Sequence, residues 1–325
     1  MAVPEDSGWS GMTWESWKDH SLVRERLDAG ADPSAPAWLG TPPLHRAAEW
    51  GSADVVAELA GRVDDVDAEV GGRTALWRAV NGNHPDSARA LVAAGADPWR
   101  PMMAGWSPGR LSLAGPTPDL FTVPPGEPGL SPEETAAAAE GKRLTAALGE
   151  LWMEGLGLAC VSGIDVAEAV RRLEATLVED TSFMDDAWSY SGDCEGTMRI
   201  VGATDVPGGC VITQPWGYAP SMPGVIWRLS AGTTCYSMYA NPKSGNQGAV
   251  VRDGVVVGWD LRPGGSAGAD EPAEEVLASY LYQHNAAAYC CAYAGVRPTD
   301  ARAITGPPDV WLRPPNRDDW KWPTD

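Results

Sequence analysis

Phenylalanine is almost missing from this sequence, with two residues in 325, and histidine is scarce, with four. Sixteen tryptophans and eight tyrosines must therefore carry nearly all of the aromatic burial. No CxxC, HxxxH or HExxH spacing occurs, so no zinc ligand set is expected, and no metal or other cofactor. The six cysteines are Cys160, Cys194, Cys210, Cys235, Cys290 and Cys291. The last two are adjacent and too constrained to bridge one another in the ordinary way. Most sit among apolar residues, where a thiol behaves as a small hydrophobe. A reducing compartment follows as the expectation. No glycine-rich phosphate loop follows a strand, and no GxSxG elbow is present. No apolar run reaches the ~18 residues of a membrane helix. The first twenty residues lack the basic and apolar regions of a signal peptide. The expectation is a cytoplasmic protein with no membrane partner. Positive charge is also short: 24 Lys and Arg stand against 44 Asp and Glu, a net charge of −20. Such a surface repels nucleic-acid backbones and suits solubility, or a protein partner with a basic surface.

What is present is repetition. Gly30-Ala31-Asp32-Pro33 recurs as Gly95-Ala96-Asp97-Pro98, and the altered middle copy falls at Val63-Asp64-Asp65-Val66-Asp67-Ala68. Between them lie Thr41-Pro42-Pro43-Leu44-His45-Arg46-Ala47-Ala48 and Thr74-Ala75-Leu76-Trp77-Arg78-Ala79-Val80. A fourth, damaged copy begins at Ser107-Pro108-Gly109-Arg110-Leu111. A period near 33 residues with this turn–helix signature resembles the ankyrin repeat, over roughly residues 8–115. Thr before the helix can cap it, and Pro in its first turn loses no hydrogen bond. Gly51 and Asn83 fall at the turn between paired helices, and Gly30 and Gly95 end the second helices, all places for left-handed backbone. Val63 stands where that glycine is wanted in repeat two. Repeat one lacks the signature and offers Trp14 and Trp17. His45 is expected to bridge adjacent turns rather than to catalyse.

The resemblance implies that variable side chains on first helices and loop tips contact a partner. Those are Arg46, Glu49 and Trp50 in repeat two, and Arg78 and Asn81 in repeat three. The loop tips are Trp38-Leu39, Val70-Gly71 and Met102-Met103. Exposed Trp and Arg are the types enriched at binding hot spots. The alternative for Trp50 or Trp38 is packing on a neighbouring repeat or on a second domain.

Residues 116–150 read as a Pro-rich linker, in which Leu120-Phe121-Thr122-Val123 could anchor, followed by a helix. Ser131-Pro132-Glu133-Glu134 opens that helix as a capping box. From 151 to 306 the pattern becomes α+β: a mostly antiparallel sheet with helices on one face. Strands are expected at Gly157–Val161, Met198–Gly202, Gly209–Gln214 and Thr233–Tyr239. Helices are expected at Asp165–Leu177, Met222–Leu229 and Pro272–Ala294. Asp253-Gly254 should turn a hairpin between Ala249 and Val257. Residues 307–325 are expected to wrap the surface. Residues 155 to 265 resemble a domain of unknown function in actinomycete proteins, which implies no activity. The fold class is therefore an α ankyrin solenoid followed by an α+β domain.

Two clusters could carry chemistry in the second domain. Gln214, Trp216, Tyr218, Trp227, Tyr236, Asn241 and Trp259, with Tyr239, form a candidate small-molecule pocket. The competing reading makes the three tryptophans core in a chain short of Phe. His284 lies six residues before Cys290, a spacing that places them on different helix faces, so a nucleophilic pair gains no support. Asp185, Asp186, Asp193 and Glu195 read as a solvated acidic loop. The leading expectation is non-catalytic binding of a protein partner through the array, in an adaptor, immunity or antitoxin-like role. The alternative is an enzyme acting on a small molecule in the aromatic pocket.

Overall fold

The structure is a computed structural model that describes residues 8–37, 40–50, 52–180 and 199–322. The chain divides into two units, Met1–Ala138 with Ala267–Leu281, and Ala139–Ser266 with Tyr282–Asp325.

The first unit is built from helix pairs. They are α1 (His20–Asp28), α2 (Pro43–Trp50) with α3 (Ala53–Ala60), α4 (Ala75–Asn81) with α5 (Pro85–Ala93), and α6 (Pro108–Ser112). A 3-10 turn, Ser16–Lys18, stands in for the first helix of repeat one. The first helices stack in one column, the turn on α2, α2 on α4 and α4 on α6. The second helices α1, α3 and α5 form a parallel outer column. Leu44, Ala47, Ala48, Leu76 and Ala79 are buried where neighbouring repeats meet. Small residues at those positions allow close stacking, and each repeat buries its apolar face only against its neighbours. Gly30 (φ 96°), Asn83 (φ 53°) and Gly95 (φ 103°) are left-handed, as their turns require. Repeat two leaves α3 through Gly61 with φ −73°, without a left-handed residue, so the exit that lacks its glycine is rebuilt.

Both ends of the stack are closed. At the start, Trp9 and Trp17 pack 5.4 Å apart and are buried, and Trp9 Nε1 donates to the Asp32 carbonyl at 2.7 Å. At the far end, α6 has no second helix of its own. Its place in the core is taken by Leu120, Phe121 and the helix Ala273–Leu281, whose Val276, Leu277 and Tyr280 are buried. Trp106 Nε1 donates to the Ala273 carbonyl at 2.9 Å, and the Arg73 guanidinium donates to the Ala267 carbonyl. Helix α7 (Pro132–Leu148) starts with the expected capping box. Glu134 N donates to Ser131 Oγ at 3.2 Å and Ser131 N to Glu134 Oε2 at 2.8 Å.

The second unit is one eight-stranded, wholly antiparallel sheet. In chain order its elements are β1 (Gly157–Ser162), α8 (Val166–Leu173), β2 (Thr176–Leu177), β3 (Val201–Val206), β4 (Gly209–Gln214), α9 (Pro223–Leu229), β5 (Thr234–Asn241), β6 (Gly245–Arg252) and β7 (Val255–Leu261). They continue with α10, the Ala273–Leu281 helix of the first unit, then α11 (Ala286–Ala294), α12 (Arg302–Thr305) and β8 (Val310–Arg313). The strand order is β2-β8-β3-β4-β1-β5-β6-β7. Side chains alternate along each strand, so the sheet has two faces to cover. Ala159, Val161, Cys210, Ile212 and Val251 pack with Ile226 and Leu229 of α9 and Ala169 of α8. On the opposite face Cys160 Sγ lies 3.6 Å from Cys291 Sγ of α11, and Tyr236 meets Tyr289.

Four expectations need correction. The helix expected over Asp165–Leu177 ends at Leu173, where Glu174 turns left-handed (φ 52°), and Thr176–Leu177 is the exposed strand β2. Helices cover both faces of the sheet, not one: successive residues of β1, β4 and β5, which point to opposite faces, are buried along most of each strand, so neither face is left in water. The helix expected over Pro272–Ala294 is two helices. His284 turns left-handed (φ 63°) and Asn285 caps α11, accepting from Ala288 N at 3.0 Å. The two helices also belong to different units. The tail beyond Pro307 supplies β8, which pairs with β2 and β3.

Candidate partner-binding surface

The inner column positions the array's candidate residues. Thr74 caps α4, accepting from Trp77 N at 3.1 Å, which starts the helix and sets the direction of Arg78 and Asn81. His45 is buried, and its Nε2 meets the Arg73 carbonyl of the next repeat at 3.2 Å. Burial, with the Arg78 charge second, pulls its pKa down to about 4, so the ring is neutral and donates to that carbonyl. His84 makes a similar tie, Nε2 to the Glu49 carbonyl at 2.9 Å. Both histidines join one repeat to the next.

Three of the five candidate contact residues come together. Arg46 Nη1 and Arg78 Nη1 lie 3.3 and 3.0 Å from the same oxygen, Glu49 Oε2. Trp50 ends α2 half-buried and stacks on Trp14 at 6.0 Å. Trp14 is 53% exposed, and Lys18 Nζ lies 4.8 Å over its ring. Asn81 closes α4. The inner column thus presents an aromatic pair beside two guanidiniums bridged by one carboxylate. Of the loop tips, Val70 and Gly71 form a turn closed by Val70 N to the Arg73 carbonyl at 2.9 Å. Met103 is buried, which removes it from that set. Trp38, Leu39 and Gly51 lie outside the described residues.

Trp14 was visible only as a departure from the repeat signature. Its signal is the period: 14, 46, 78 and 110 are spaced by 32 residues, and hold Trp, Arg, Arg and Arg.

The aromatic group of the second unit is dispersed. Gln214 and Tyr218 line a cavity of about 340 Å³ with Met222, Val225 and Trp320. The Gln214 amide is already used: Nε2 donates to the Ile200 carbonyl at 3.2 Å and Oε1 accepts from Ala219 N at 2.9 Å. Tyr218 stacks on Trp320 at 5.0 Å and on Tyr239 at 5.9 Å. Trp216 packs on Trp152 and over Gly155, where a Cβ would lie 2.3 Å from its ring. Tyr236 is buried on the α11 face. Asn241 closes the β5–β6 turn, accepting from Lys243 N at 2.9 Å. Trp227 and Trp259 are exposed, and Trp259 meets Trp322 at 5.8 Å. The three tryptophans are therefore outside the aliphatic core on the α8 and α9 face, and Tyr236, not one of them, is the aromatic of this group that is buried on the other.

His284 is exposed at the break before α11, whereas Cys290 is fully buried and burial pushes its thiol well above the usual range. That is the reverse of an activated nucleophile. Asp185, Asp186, Asp193, Glu195, Cys194 and Met198 lie outside the described residues. Among those described, no group of three His, Cys, Asp or Glu is placed to hold a metal. No described helix is long and apolar enough to cross a membrane.

Comparison with protein families matches residues 15–102 to ankyrin repeats, in three copies. No curated protein matches the chain.

Proposed function

We propose that this chain binds a protein partner, without catalysis, through the inner column of its ankyrin array. The observation that carries the reading is the surface along the first helices, where Arg46 and Arg78 meet at Glu49 and Trp50, one helical turn after Arg46 on α2, packs on Trp14. Trp and Arg concentrate binding energy because they join large contact area to directional donors. Asn81, the last residue of α4, is assigned to the same contact. An adaptor, an immunity protein or an antitoxin would each use such a surface. Five buried, unbridged cysteines agree with a reducing, cytoplasmic setting. The net charge of −20 favours long-range approach by a partner whose overall surface is basic.

The test is capture from the native host on immobilised full-length chain, with the bound protein identified by mass spectrometry. Trp50→Ala and Arg78→Ala should each lower recovery of that protein. Trp152→Ala, at an exposed site in the second unit, should not. Recovery that survives both array variants would remove the array as the recognition surface.

A second reading rests on the cavity beside Tyr218 and Trp320, whose volume of about 340 Å³ suits a small ligand. In it the second unit binds or transforms a small molecule and the array targets it. Gln214 would serve there by holding the cavity wall through its two backbone bonds. Trp320→Ala should then weaken ligand retention without affecting protein capture.

A further inference from the structure

Arg46, Arg78 and Arg110 recur at a spacing of 32 residues, one on each of the stacked helices α2, α4 and α6. They form a ladder of guanidiniums along the inner column. Their side chains are largely covered, with exposures of 11, 16 and 21%. Nε of Arg78 and of Arg110 is buried without a hydrogen-bond partner. A cation that has given up much of its water is held best by a carboxylate at close range.

The rungs are filled differently. Arg110 is answered from within the chain: both oxygens of Glu134 lie 2.7 Å from its Nη2, and the Trp106 ring lies 4.4 Å away. At the other two rungs, two guanidiniums converge on a single oxygen of one carboxylate, Glu49, which is 42% exposed. Arg73 adds a third cation nearby: burial first, and then the Arg78 charge, lower its pKa. Among these named groups three guanidiniums stand against one carboxylate, on a chain that is acidic overall. At physiological ionic strength charges are screened beyond about 8 Å, so the local sign decides contact.

We propose that the Arg46–Arg78 rung reads a carboxylate of the partner, an Asp or Glu side chain on an acidic segment, which displaces or joins Glu49. Glu134 on Arg110 shows the same recognition satisfied internally. Trp14 and Trp50 beside the rung call for an apolar residue near that carboxylate. The proposal rests on the array being the recognition surface.

The probe is a fluorescein-labelled Gly-Ser peptide carrying Leu-Gly-Ser-Glu, compared by anisotropy with its Gln and Lys counterparts on the full chain. The Glu peptide should bind, and more weakly as salt rises. Arg78→Gln should weaken it by roughly tenfold or more, the scale of a hydrogen bond to a charged group. Arg78→Lys keeps the charge without the fork and should fall between, which separates recognition from misfolding. Glu49→Gln should tighten binding several-fold, because it removes the internal competitor. Equal binding of the Gln peptide, preference for the Lys peptide, no binding of any peptide, or weaker binding by Glu49→Gln would each overturn the assignment. If the assignment falls while Trp50→Ala still abolishes partner capture, the array remains the recognition surface. If that variant also captures normally, the underlying reading falls too.

Discussion

His45 is held neutral where two repeats meet, because protonating it would bury a charge beside Arg78. Its pKa is about 4 in the fold, against about 6.5 when unfolded. Between those values the unfolded chain binds more protons, so stability rises with pH there. The contribution is complete above about pH 6.5 and lost as pH falls to about 4, at most ~3 kcal/mol. Urea midpoints measured across that window should slope for the parent and lie flatter for His45→Gln; identical slopes would remove His45 as the source. Gly254 makes a second residue-scale case. Asp253 (φ 48°) and Gly254 (φ 72°) are both left-handed, as a two-residue type I′ turn demands. A Cβ at 254 would also lie 2.9 Å from Trp227 Nε1. Gly254→Val should cost on the order of 1–3 kcal/mol in equilibrium unfolding. Both residues were legible in the sequence, because each belongs to a short motif with a fixed backbone logic. The ladder of Arg46, Arg78 and Arg110 was not assembled from it, because single arginines carry no such logic until stacking aligns them.

Among the elements, α10 departs most from what the sequence suggests. It lies more than 150 residues after the array in the chain, yet Leu277 and Tyr280 are buried with the array's core. Local pattern describes a helix's apolar face but not what that face meets, so α10 and α11 read as one helix of the second domain. The break at His284 was hidden because neither Gly nor Pro marks it. β1, β4, the Asp253-Gly254 hairpin and the capping box of α7 were legible, since each is set by near neighbours. β8 was hidden by the prolines around it, and its pairing with β3 spans over a hundred residues. If α10 closes the array, Leu277→Ala should destabilise the first unit by about 2–5 kcal/mol, the usual cost of emptying a buried leucine site. Hydrogen exchange should then speed up in α4 and α6. Unchanged exchange in those helices would mean that α10 contributes nothing to the stack.

At the scale of the whole molecule, the repeat period, its three copies and the change to an antiparallel sheet were readable from the sequence. The contents of the candidate sites were readable only in part. Arg46, Glu49 and Arg78 meet because stacking brings α2 onto α4, whereas Gln214, Trp227, Tyr236 and Trp259 are close in sequence and dispersed by the sheet's two faces and its edge. Repetition conveys proximity across repeats, and strand alternation separates neighbours. Recognition through the array is the central proposal, and the most direct check is hydrogen exchange of the full chain with and without its captured partner. Slowed exchange is expected in 43–50 and 75–81, on α2 and α4. Slowing confined to 209–261, with the array unchanged, would contradict recognition by the array.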